Sequence, residues 1–244
     1  MRFSSVIALA AGFLTVNASN GHSHLHKRIH AREAKPIDKR GLVTANSLIS
    51  TPAAMVNSDV VEGSVGSMPF QNTIVNNNTQ DAVVLFWTNE NFAMIATPYN
   101  SNPPAPSLIL ELPAGATKVV SFSDNFSGAY SAVFPGTGIQ AGGGVSAAWV
   151  EITTSGITPV VDVSMLPDMS SKWTSVETDN CISDYTSCSY QCNDGSATCF
   201  TAAVSELMNC APSAGTIYDA GPNGNGPWNG GCRVSPTFTT TFSG

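Results

Sequence analysis

Histidine disappears from this 244-residue sequence after its first thirty positions: His22, His24, His26 and His30 are all there is. Cations are almost as scarce, since seven of the ten lysines and arginines lie at or before Arg40 and only Lys118, Lys172 and Arg233 follow. Cysteine is missing until Cys181. No apolar stretch reaches the ~20 residues that a membrane-spanning helix needs. Each absence removes a class of function. Without clustered Lys and Arg there is nothing to neutralise phosphates, so nucleic acid and anionic membrane are not expected partners. Without imidazole, a Ser-His-Asp or Cys-His nucleophile has no base, and zinc or copper lacks its commonest ligand. No metal and no cofactor are expected.

The loss of imidazole depends on processing, for which the N-terminus carries two signals. Met1-Arg2 precedes the apolar run Val6–Leu14, and Val16-Asn17-Ala18 offers the small residues of a cleavage site. Residues 1–18 read as a signal peptide. Lys27-Arg28 and Lys39-Arg40 are dibasic pairs in a polar stretch, so residues 19–40 read as a pro-segment with Arg28 and Arg40 as processing sites. Cutting after Arg40 leaves three cations against fifteen acids, a net charge of −12. The expected location is extracellular or the cell wall.

What remains is rich in short strand patterns. Residues 41–67 form a lead-in. Over 68–170, Phe70–Val75 alternates, Ala82–Trp87 is an unbroken β-branched and aromatic run, and Leu108–Leu112 and Lys118–Phe122 pair around Pro113–Thr117. Further strands fit Gly128–Phe134, Ala147–Ile152 and Pro159–Ser164. Many short strands separated by turn signals predict an antiparallel β-sandwich. Residues 171–244 hold all six cysteines, Cys181, Cys188, Cys192, Cys199, Cys210 and Cys232. On a secretory route these predict three disulfides, with fifteen pairings open. This region reads as a stapled C-terminal extension lying on the sandwich, with a short helix over Thr198–Met208. Asn77 and Asn125 head N-glycosylation sequons in predicted turns.

The order of motifs resembles the thaumatin-like proteins and the yeast-phase-specific secreted proteins of fungi. Asn72–Asn77 followed by Val83–Trp87 is similar to their first hairpin. Leu112–Phe122 is similar to their Leu-x-x-Gly-x-Ser strand pair. Trp149-Val150-Glu151-Ile152 and Val161–Asp168 follow the order of their acidic strands. The resemblance, over residues 68–170, implies a thaumatin-like sandwich in which Glu151, Asp162 and Asp168 line a glucan-binding cleft. Read without the family, Glu151 and Asp162 fall on adjacent strands, where two carboxylates can act as acid and base on a glycosidic bond. Acids on strand faces also simply solvate an acidic domain.

Three functions follow. The first is a secreted, non-enzymatic fungal protein, effector-like or at the cell surface, that binds β-glucan or another wall polysaccharide or a host extracellular protein. Trp87, Tyr99, Tyr130 and Trp228 are its candidate contact aromatics. The second is a carboxylate-dependent glucan hydrolase using Glu151 and Asp162. The third is a structural wall protein.

Overall fold

The computed structural model describes residues 59–88, 106–139, 145–155, 158–199, 205–213, 215–220 and 227–244. The predicted signal peptide and pro-segment, Arg28, Arg40 and Tyr99 lie outside them.

Among the described residues there is no helix, and the strands run as follows. The first nine are β1 (Val60–Glu62), β2 (Phe70–Asn77), β3 (Ala82–Thr88), β4 (Leu108–Leu112), β5 (Thr117–Phe122), β6 (Ser127–Val133), β7 (Gly138–Ile139), β8 (Val145–Ser146) and β9 (Trp149–Thr153). They are followed by β10 (Val160–Ser164), β11 (Thr174–Thr178), β12 (Cys181–Ser183), β13 (Ser189–Cys192) and β14 (Ser205–Met208). The last three are β15 (Thr216–Ala220), β16 (Pro227–Arg233) and β17 (Thr237–Ser243). One sheet has the order β1-β5-β2-β17-β11-β12. The larger has the order β14-β13-β10-β9-β6-β3-β4, with β16 also on β10 and β15 on β16. Both are mixed, because β17 runs parallel to β2 and β13 parallel to β10. The architecture is a β-sandwich.

The core lies between the sheets. Val84, Phe86, Tyr130, Val150, Ile152, Val161 and Val163 from the larger sheet meet Ile74, Val120, Phe122, Val176, Phe238 and Phe242 from the smaller. Phe86 stacks on Tyr130 at 4.7 Å and approaches Phe122 across the gap at 6.2 Å. A buried polar knot spans the same gap. Asn72 Nδ2 donates to Tyr130 Oη at 2.7 Å and to Thr240 Oγ1 at 3.0 Å, and the two hydroxyls are 2.7 Å apart.

The two sheets read differently in sequence because they are buried differently. In β2, β11 and β17 burial alternates along the strand, the mark of one wet face. The run in β3 is continuous because both its faces are covered. Phe86 faces the main core, while Val83, Leu85 and Trp87 join a second cluster with Ala129, Val133, Val145 and Trp149 on the outer face. Trp87 and Trp149 stack there at 5.2 Å.

Several expectations are corrected. β2 and β3 do not form a hairpin, nor do β4 and β5; each pair is split between the sheets. The intervening turns are corners, and one side chain holds both. Buried Asn76 donates from Nδ2 to Gln80 O at 2.9 Å in the first corner, and to Leu112 O at 3.0 Å and Pro113 O at 3.1 Å in the second. The C-terminal region is not an extension laid on a sandwich. Its β17 sits inside the smaller sheet between β2 and β11, and its β13 and β16 both pair with β10. Ser205–Met208 is a strand on β13 rather than part of a helix, because Leu207 reaches a third cluster around Tyr190 and the cystines. The lead-in contributes β1, which pairs with β5.

Candidate functional site

Glu151 and Asp162 are direct cross-strand partners on β9 and β10. In register, Trp87, Ala129, Glu151 and Asp162 make one row across β3, β6, β9 and β10. The row lies on the outer face of the larger sheet, because the neighbouring residues Val150, Ile152, Val161 and Val163 all point into the main core. Opposed side chains on such a pair have Cβ atoms ~4.5–5.5 Å apart. Both acids are buried, at 3% and 0% exposure. Both carboxyl oxygens of Asp162 and Oε2 of Glu151 are out of contact with solvent. Beside Asp162 the chain of β16 comes so close that only glycine fits. Gly231 has φ +142°, and a Cβ there would stand 2.6 Å from Val161 O and 2.9 Å from Asp162 Cβ. As folded, this pair is closed to a polysaccharide.

Asp168 is elsewhere. It sits half-buried in the turn after β10, where its Oδ1 accepts from Ser170 N at 2.9 Å and Ser170 Oγ at 2.6 Å. The structure therefore brings two of the three expected acids together and separates the third.

Asp168 instead lines a cleft of about 640 Å³ at one end of the sandwich. The end is where β2, β6, β10 and β17 finish and β11 begins, so both sheets contribute. Its walls carry amides (Asn78, Gln80), hydroxyls (Thr137, Ser146, Thr198), the Asp168 carboxylate and two aromatic rings, Phe134 and Trp173. No cation is among the lining residues. Trp173 is partly exposed, and its strand end is fixed by Ser243 N donating to Trp173 O at 2.7 Å. Sequence reasoning missed this residue. Its signal was an aromatic alone in a polar stretch, Ser170-Ser171-Lys172-Trp173-Thr174, directly after a turn. Of the aromatics singled out from sequence, Trp87 and Tyr130 are buried at 2% and 0% exposure and cannot meet a ligand. Tyr99 and the Trp228 side chain are outside the described residues.

The six cysteines form three nested disulfides, Cys181–Cys232, Cys188–Cys210 and Cys192–Cys199, with no cysteine left free. Asn77 and Asn125 are both exposed, at the end of β2 and in the turn before β6. Asn125 Nδ2 donates to Asp124 Oδ1 at 3.0 Å.

Residues 57–222, well over half of the chain, match the family described as Allergen Asp f 4-like domain. The chain belongs to that family. The matched span takes in Glu151, Asp162, Asp168 and Trp173, and it ends before β16 and β17, so the Asp f 4-like match stops short of the strand that completes the smaller sheet. The likeness to thaumatin-like proteins remains one of motifs. Among curated protein sequences none matches. Among solved structures, the crystal structure of the protein elicitor MoHrip2 from Magnaporthe oryzae is similar at 14% identity, over 72% of this chain and 99% of that one, with a TM-score of 0.36. That score is too low to argue from. Membership of the Asp f 4-like family and the three disulfides fit a secreted fungal protein.

Proposed function

We propose that the mature chain is a secreted fungal protein that works by recognition rather than catalysis, holding a neutral polysaccharide such as β-glucan in the end cleft. The observation that carries this reading is the chemistry of the cleft walls. A partly exposed indole offers a flat apolar face to the C–H face of a sugar ring. Amides, hydroxyls and one carboxylate around it serve the ring hydroxyls. An anionic ligand is disfavoured, because Asp168 repels it and no lining cation compensates.

The test is co-sedimentation with insoluble β-glucan and with chitin. Wild type is expected in the pellet of at least one polymer. Trp173→Ala removes the platform, and loss of a central aromatic contact of ~2 kcal/mol weakens binding more than tenfold. Asp168→Asn keeps the turn shape and weakens binding less. Wild type left in the supernatant by both polymers, or Trp173→Ala sedimenting as wild type does, ends this reading.

One observation favours a second reading. Glu151 and Asp162 are paired side by side, the arrangement a carboxylate-dependent glucan hydrolase needs. Reducing-sugar release from laminarin by wild type, abolished in Glu151→Gln, would support it. Their burial argues for the first reading.

A further inference from the structure

Two of the three disulfides are neighbours. Cys181–Cys232 ties β12, the edge strand of the smaller sheet, to β16 of the larger, and is the one disulfide joining the sheets. Cys188–Cys210 closes the β13–β14 hairpin. The sulfurs of Cys181, Cys188 and Cys232 all lie within 4.8 Å of one another. A thiolate released at Cys188 is therefore already beside the inter-sheet bridge.

Burial gives the arrangement a direction. Cys188 is 3% exposed and Cys232 is fully buried, while Cys181 and Cys210 are partly exposed. Cys210 is followed by the exposed residues Ala211, Pro212 and Ser213, so a thiol from solvent reaches its sulfur before that of Cys188. The backbone at this bridge is also strained. Cys188 has φ +46° and Asn209 has φ +55°. The left-handed region suits Asn but not Cys, so backbone strain lies on the Cys188 side of the bridge.

We propose that Cys188–Cys210 is a thiol-reactive site that passes its break to the inter-sheet bridge. A small-molecule thiolate such as glutathione attacks Cys210 Sγ. A mixed disulfide forms on Cys210, the Cys188–Cys210 bond breaks, and its electron pair leaves on Cys188. The Cys188 thiolate then attacks Cys232 Sγ. The Cys188–Cys232 bond forms, the Cys181–Cys232 bond breaks, and Cys181 leaves as the thiolate. Two disulfides and one thiolate are present before and after, so no oxidant is needed. Attack at Cys232 is favoured over attack at Cys181 because it expels the partly exposed sulfur rather than the fully buried one, and a buried thiolate is the poorer leaving group. The new bond links the start of β13 to β16 within the larger sheet, so β12 loses its covalent tie and keeps its pairing with β11 and the Ser183 hydroxyl, which accepts from Val163 N and donates to Cys188 O. This proposal does not depend on what the cleft binds.

The experiment is limited thiolysis of the folded wild-type protein with reduced glutathione, quenched with N-ethylmaleimide and mapped by mass spectrometry of unreduced peptides. The expected products are glutathione on Cys210, maleimide on Cys181, a Cys188–Cys232 peptide and an intact Cys192–Cys199 peptide. Maleimide on Cys188 with Cys181–Cys232 intact overturns the proposal. So do pairings of Cys192 or Cys199 with any of the other four cysteines, which report exchange through the unfolded chain. Cys210→Ser tests the second step without added thiol: Cys188–Cys232 and a free Cys181 are expected. The double variant Cys188→Ser/Cys210→Ser keeps Cys181–Cys232 and shows no free thiol. A Cys210→Ser protein that retains Cys181–Cys232 beside a free Cys188 equally overturns it.

Discussion

Tyr130 shows how one buried hydroxyl can hold two sheets in register. It lies on β6, and its partners Asn72 and Thr240 lie on β2 and β17 of the opposite sheet. Tyr130→Phe keeps the ring stack on Phe86 but leaves the Asn72 amide and the Thr240 hydroxyl short of a partner. Such a loss costs about 1–3 kcal/mol, measurable by denaturant unfolding. Burial pushes the Tyr130 phenol well above its ordinary value of 10.0, outweighing hydrogen bonds from Thr240 and Asn72 that lower it. The sign follows from linkage. The unfolded chain releases this proton near pH 10 while the folded chain keeps it, so the contribution is fully present below pH 10 and is lost as the pH rises beyond it. Alkaline unfolding of Tyr130→Phe should accordingly lose part of the wild-type pH slope above pH 10. Gly231 is the other position where a single atom decides: Gly231→Ala drives a Cβ into the backbone of β10 beside Asp162. That variant is expected to lower the melting temperature clearly, whereas Gly115→Ala, in an open turn with φ +69°, meets no neighbour and carries only the backbone penalty.

At the scale of elements, the last strand and the staples bear most weight. β17 pairs with β2 on one side and β11 on the other, and buries Phe238 and Phe242. Deleting residues 237–244 exposes two strand edges and removes two core aromatics, each worth ~1.5–3 kcal/mol. Against a typical total of about 5–15 kcal/mol, the truncated chain is expected to lack a cooperative thermal transition by circular dichroism. The disulfides should rank by the loop each closes. Sequence separations of 51, 22 and 7 residues correspond in the chain-entropy picture to about 4, 3.5 and 2.5 kcal/mol. Paired Cys→Ala variants measured by denaturant unfolding should follow that order. Strand positions were largely legible in the sequence, because β-branched runs and turn residues are local signals: β2, β3, β4, β5, β9 and β10 fall on or within a residue or two of their patterns. Strand partners were not. The turns around Asn76 and Pro113 read as hairpins, yet they are corners held by one amide, two of whose acceptors lie far along the chain.

At the scale of the whole molecule, closure of the smaller sheet depends on pairing β2 with β17, near opposite ends of the described chain. Contacts so distant in sequence make folding slow. Refolding with the disulfides intact is expected to be much faster than oxidative refolding from the reduced chain, as followed by tryptophan fluorescence. The sequence by itself determined the β class, the acidity, the poverty in imidazole and cation beyond Arg40, and the presence of cystines, since all of these follow from composition and local periodicity. It also put Glu151 and Asp162 on successive strands, but their shared face was fixed only by the register in which β9 pairs with β10. Only the tertiary structure decided that the pair is buried, that Asp168 parts from it, that Trp173 faces a cleft, and that the cystines nest with two bridges side by side. Those outcomes depend on how one sheet covers another and on which distant strands meet, and no local pattern of residues encodes either.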